Sequence, residues 1–206
     1  MSRTITLTGP LDEAQGRRVA AEIQRAGGQV IDLRIDSPGG IFGAAIEVAM
    51  AIEEHDRITL TTVTGEACSA AGLVALAGDR RRIAPTGTIM LHYPTQARGW
   101  SSAAERAESY QRMDRVIAEY TGASLATIKS WLAREHVFKA QEAKVEGLVD
   151  TIDGGRLPVF LREPAKRAPR TWLREWRDFY ERLALREHVD SVASDATLAS
   201  SRPVFL

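Results

Sequence analysis

Residues 3–90 switch repeatedly between an alternating, two-residue hydrophobic pattern and a helical one, and this constrains the fold more than anything else in the chain. "RTITLTG" alternates through Ile5 and Leu7 and stops at Gly9-Pro10, as a strand does. "DEAQGRRVAAEIQRAG" then carries Val19, Ile23 and Ala26 on one helical stripe and ends at Gly27-Gly28. "QVIDLRID" is a second strand, closed by "SPGG", and "FGAAIEVAMAIEEH" a second helix. "RITLTTVTG" is a third strand, which runs into the apolar helix "CSAAGLVALAGD". "RRRIAPTGTIMLHYP" adds two short strands around a Pro85–Gly87 turn. Strands that alternate with helices predict an α/β fold with a mainly parallel sheet.

With 206 residues the chain can bury one sizeable core, or one core and an appendage. Its formal net charge of zero argues against a nucleic-acid surface, since no basic excess is available to displace phosphate counterions. Cys68 is the single cysteine, so neither an intrachain disulfide nor a metal site on paired thiolates can form. No segment is apolar enough for a membrane span, and the N-terminus lacks the core of a signal peptide. A cytoplasmic protein without a cofactor is expected.

The second half reads as one long helix from Ser101 to Arg134, broken at "TGAS" (121–124), where Ser124 can cap the shorter continuation. "FKAQEAKVEGLVDTI" reads as a last helix that ends at Gly147, followed by a strand. Composition divides the chain into residues 1–155 and 156–206: 156–170 form a Pro/Arg-rich linker, and 171–188 an amphipathic helix with Trp172, Trp176, Phe179 and Leu183 on one face. That face is expected to dock on its own subunit or on a neighbour. The closing "PVFL" (203–206) repeats "PVFL" (158–161).

In "GEACSAAG" (65–72) two candidate nucleophiles, Cys68 and Ser69, stand side by side. With "DSPGG" (36–40), "IMLHYP" (89–94) and "FKAQEAKVEGLVD" (138–150), it forms an ordered series of four motifs. The series resembles the Clp protease proteolytic subunit (ClpP) family over roughly residues 3–153. The resemblance implies a ClpP/crotonase-like fold of repeated β-β-α units with a protruding handle helix; the C-terminal helical extension is additional. It also implies a serine endopeptidase that acts on peptides or unfolded proteins and assembles as a homo-oligomeric ring.

By that resemblance Ser69 is the nucleophile, His92 the general base, and the amides of Gly40 and Ala70 the oxyanion hole, with Gly39, Ile41 and Phe42 along the substrate groove. Cys68 is then a packed neighbour, and His55, His136 and His188 are expected to be solvated. The acid departs from the family pattern: Glu135 stands where relatives carry aspartate, and Asp150 in "GLVD" is the alternative. The region between His92 and "TGAS" is short for the family, so a single ring or another oligomer is expected as readily as a double heptamer. Relatives also carry a segment before "TITLTG" that meets a Clp-type ATPase. Its absence from this sequence argues for an independent peptidase or a phage-type maturation protease. Two other readings stand beside this one, a crotonase-like acyl-CoA enzyme and a non-catalytic ring subunit.

Overall fold

The structure is a computed structural model, and it describes residues 2–94 and 102–152 together with 175, 177–179 and 182. The linker, both "PVFL" segments, His188, Trp172, Trp176 and Leu183 lie outside the described residues.

Strands β1 (Ser2–Thr8), β2 (Val30–Ser37), β3 (Thr59–Cys68), β4 (Arg80–Ile83) and β7 (Thr151–Ile152) form a parallel sheet in the order β1-β2-β3-β4-β7. Helices α1 (Glu13–Arg25), α2 (Phe42–Glu54) and α3 (Ala70–Ala77) make the crossovers and pack in sequence, α1 on α2 and α2 on α3. Asp12 opens α1 by accepting the Gln15 amide at 2.7 Å, a cap worth about 1 kcal/mol. The core is apolar and lies between helices and sheet, with Leu7, Leu33, Ile35, Val48 and Leu73 each buried.

Strand β3 changes partner halfway along. Leu60–Val63 pair with β4 (Arg80–Ile83), whereas Glu66–Cys68 pair with β5 (Thr88–Met90). Between these halves the register against β2 shifts: Ile35 faces Val63, but Ser37 faces Ala67. The extra residues on β3 make a bulge, and Asp36 holds it by accepting the Glu66 amide at 3.0 Å. A Cβ at Gly65 would run into the Asp36 carboxylate and push it off the Glu66 amide. Past the bulge the end of β3 leaves β4 and pairs with β5.

Strand β5 also pairs antiparallel with β6 (Val137–Lys139). The segment "VFK" thus begins as a strand, correcting the expectation that residues from Phe138 onward are helical. Its cause is tertiary: Phe138 is fully buried opposite Ile89 and packs edge-on against Trp131 at 4.9 Å. The helix after it, α6, is short (Ala140–Val145), and only Thr151–Ile152 of the following segment pair as β7.

Helix α4 (Ala103–Thr121) has exposed first turns and then buries Met113, Val116 and Ile117; it ends at Gly122, whose φ of 76° lets the chain turn. Ser124 caps α5 (Leu125–Ala133) by accepting the Thr127 amide, as expected from the sequence. Of the predicted C-terminal helix, residues 175, 177–179 and 182 are helical. Its Phe179 is 5% exposed, with the Arg112 guanidinium 5.1 Å from its ring. That part of the aromatic stripe packs on its own chain. His55 is buried, not solvated: its Nε2 contacts the Gln29 carbonyl oxygen at 2.8 Å and closes the loop after α2. Among the described residues no helix is long and apolar enough to cross a membrane.

Candidate active site

Ser69 lies between the last residue of β3 and the first of α3, with φ 54° and ψ −120°. Non-glycine residues rarely adopt positive φ, and the cost is of order 1–3 kcal/mol unless the surroundings enforce it. Here they do. The Ser69 amide donates to the Met90 carbonyl at 2.8 Å, its carbonyl accepts from Gly72, and α3 behind it is buried throughout. The sharp strand-to-helix turn lifts the hydroxyl out of the sheet, and the Met90 bond draws it toward the end of β5.

His92 stands just beyond that end. Its Nε2 is 2.7 Å from Ser69 Oγ, and its side chain is 16% exposed. Its other ring nitrogen, Nδ1, is buried and has no hydrogen-bond partner among the described residues. The nearest carboxylate oxygen facing it is Glu135 Oε1, 3.8 Å away, too long for a hydrogen bond. Glu135 is itself at positive φ (52°), and its side chain is 64% exposed. The neighbouring His136 is tied at 2.8 Å to Glu142 and edge-on to Phe138, which secures the turn that carries Glu135. The structure therefore brings Ser69 and His92 into contact and leaves Glu135 close by but unbonded.

Asp150 is committed elsewhere. Its carboxylate accepts the Arg81 amide at 2.8 Å and the Arg81 guanidinium at 3.3 Å, while the same guanidinium donates to the Tyr120 carbonyl at the end of α4. It anchors α4 and β7 to β4, and sits just before a strand rather than within one.

Cys68, at the end of β3, has its thiol pushed up from 9.0 to about 11, first by burial and then by the Glu66 carboxylate, to which Sγ donates at 3.5 Å. A thiol so placed is a poor source of thiolate at neutral pH. Of the two adjacent candidates, Ser69 is the one in contact with an imidazole.

The glycine loop approaches the same point. Gly39 has φ 88°, and a Cβ there would strike the Cys68 carbonyl and crowd Ala70 N and Ser69 Cβ. Ser37 fixes the loop, since its Oγ donates to the Gly9 carbonyl at 2.6 Å and accepts the Gly39 amide at 3.1 Å. Leu11 bridges the loop through the Gly39 carbonyl and the Ile41 amide, so the Gly40 N–H lies outside that ladder. Ala70 is the first residue of α3, and its N–H has no earlier helical turn to donate to. Two amides near Ser69 are thus left over by the local hydrogen bonding, while the Ser69 amide is occupied. Beyond them Ile41 is 46% exposed and Phe42 is half-buried against the core.

Sequence reasoning missed the groups that hold the His92 segment. Tyr93 Oη donates to Asp114 Oδ1 at 2.7 Å and its ring stacks on Tyr110 at 4.2 Å, while Tyr110 Oη donates to the Pro94 carbonyl at 3.3 Å. The available signal was a tyrosine adjoining His92 and, on the apolar stripe of α4, an aspartate.

A bulged strand that ends in a strained serine, a histidine one strand over and a glycine loop across from both define an α/β protein of the ClpP/crotonase-like class. The sequence match is more specific. The Clp protease family model covers residues 1–155, and the chain belongs to that family of serine peptidases, whose members form oligomeric rings. Among solved structures it is similar to a point mutant of ClpP1 from Listeria monocytogenes, with a TM-score of 0.70 and 26% identity over 75% of this chain and 92% of that one.

Proposed function

We propose that this chain is a serine endopeptidase that cleaves peptides or unfolded proteins through an acyl-enzyme on Ser69. His92 Nε2 takes the Ser69 proton as Oγ bonds to the scissile carbonyl carbon. The resulting oxyanion is held by the amides of Gly40 and Ala70, two fixed dipoles that need no reorganisation. As the tetrahedral intermediate collapses, the C–N bond breaks and His92 returns the proton to the leaving amine. Water then repeats the sequence on the ester and frees Ser69. Glu135 acts as the acid that holds the Nδ1–H tautomer of His92 once it closes the present 3.8 Å gap. Substrate lies along Gly39–Phe42 as an added strand. The working form is a homo-oligomeric ring, with no nucleic-acid or membrane partner and no requirement for a cofactor.

The observation that carries this reading is the 2.7 Å contact between His92 Nε2 and an Oγ held at positive φ. Intact-protein mass spectrometry before and after a fluorophosphonate tests it, with Ser69→Ala as control. One adduct that maps to Ser69 and vanishes in the variant is expected. Folded, ring-sized protein that takes no adduct would overturn it and leave the non-catalytic subunit.

A further inference from the structure

We propose that Tyr93 and Asp114 are positioning residues that hold His92 in register with Ser69. The inference rests on the reading of Ser69 and His92 as a catalytic pair, and it goes beyond that pair to what sets the distance between them.

His92 does not sit on a helix or strand. Strand β5 ends at Met90, and residues 91–94 are irregular. Leu91 anchors the segment on one side, fully buried against Gly72 of α3. What remains to be fixed is the side that leads from His92 to Tyr93 and Pro94, where a displacement of roughly 1 Å costs about a hundredfold in rate. There Tyr93 is partly buried against the core, and α4 adds three specific contacts: the Tyr93–Asp114 hydrogen bond, the Tyr93–Tyr110 stack and the Tyr110–Pro94 hydrogen bond. Tyr110 and Asp114 are four apart on α4, so one helix face supplies both. The hydrogen bond is the directional member, because a ring stack alone permits sliding.

Asp114 is also in an expensive place. It is 3% exposed, beside buried Met113, Val116 and Ile117 on α4. Burial holds its carboxyl above the usual carboxylate range, even though the Tyr93 hydroxyl and the Lys129 ammonium of α5 both pull it down. An apolar side chain would pack there at lower cost, but it would give Tyr93 no acceptor. Burial and the same bond push the Tyr93 phenol far up, so it remains a donor throughout the working pH range. The one described hydrogen bond to the carboxylate comes from Tyr93, and Tyr93 is the covalent neighbour of His92.

The test uses the full-length protein and a fluorophosphonate at varied concentration. Tyr93→Phe keeps the ring stack and deletes the hydrogen bond. Its limiting rate of Ser69 modification should fall ~10-fold, with the half-saturating concentration, circular dichroism and oligomer size unchanged. Asp114→Ala should behave alike, and Asp114→Asn, which keeps an acceptor, should recover most of the loss. A purely structural role would lower the melting temperature and leave the limiting rate alone. A second readout needs no reactivity: the ring nitrogens of His92 followed by NMR in unmodified protein. One ordered tautomer is expected in wild type and exchange-averaged signals in Tyr93→Phe. If wild type takes no adduct, the peptidase reading falls, and the His92 signals still decide the positioning role. Unchanged signals in Tyr93→Phe, or a limiting rate equal to wild type, overturn it.

Discussion

The two flanks of His92 are built differently. On the Ser69 flank the backbone around the nucleophile is held by the sheet, the bulge and α3, and the contact to Nε2 is already 2.7 Å. On the Glu135 flank the carboxylate hangs from a turn before the three-residue edge strand β6, is 64% exposed, and stands 3.8 Å from Nδ1. Ser69 is set by the sheet and the buried helix behind it and His92 by the tethered segment after β5, whereas Glu135 is set by the periphery. A single chain can thus join Ser69 to His92 while Glu135 remains sensitive to whatever packs around the rim.

The largest expected effect falls on the core side. His92→Ala should reduce fluorophosphonate modification of Ser69 by ~10³-fold or more, since a serine hydroxyl is a weak nucleophile without its base. A small loss would mean that the 2.7 Å contact is not the activating one. Next comes Cys68. With its thiol near 11 rather than 9.0, its alkylation by iodoacetamide at pH 8 should be ~100-fold slower than that of a free thiol, and should keep rising with pH toward 11. Fast alkylation would show that the end of β3 opens in solution, and the contrast between flanks would weaken.

On the peripheral side, Glu135→Gln should cost only ~10-fold in the same modification rate, because an exposed, unbonded carboxylate orients the imidazole weakly. A loss nearer ~10⁴-fold, the size typical of a closed triad's acid, would show that Glu135 closes fully in the working assembly and would erase the asymmetry. Smallest on reactivity is Asp150→Asn. It should lower unfolding stability by about 1–3 kcal/mol through the Arg81 network, with the modification rate within ~3-fold of wild type. A reactivity loss larger than that of Glu135→Gln would reverse the assignment of the acid.

The same contrast separates what the sequence reveals from what it hides. Strands β1 to β3 and helices α1 and α2 are legible because each is long enough to show its period, α3 because it is apolar all round, and the small residues of "SPGG" and "GEACSAAG" mark places of close approach. Gly39, beside the Cys68 carbonyl and the Ala70 amide, is such a place, whereas Gly65 makes room for the Asp36 side chain. Strand β6 was hidden, since three residues show no period and Phe138 pairs there only because Ile89 and Trp131 await it. His55 was hidden for a similar reason: its partner is a carbonyl 26 residues earlier, which no local pattern announces. Ser69 and His92 were legible as a pair through motif order, but the 3.8 Å gap to Glu135 and the Tyr93–Asp114 bond depend on where α4 and β6 come to rest.

The bulge in β3 has a kinetic consequence. The turn that gives Ser69 its positive φ is framed by the Ser37–Ala67 and Cys68–Met90 pairings, which join residues far apart in sequence, contacts of the kind that slow folding. A nascent or partly folded chain has the serine and the histidine but not the geometry that joins them. On the proposed reading of Ser69, reactivity toward a fluorophosphonate during refolding should appear only as the sheet is completed.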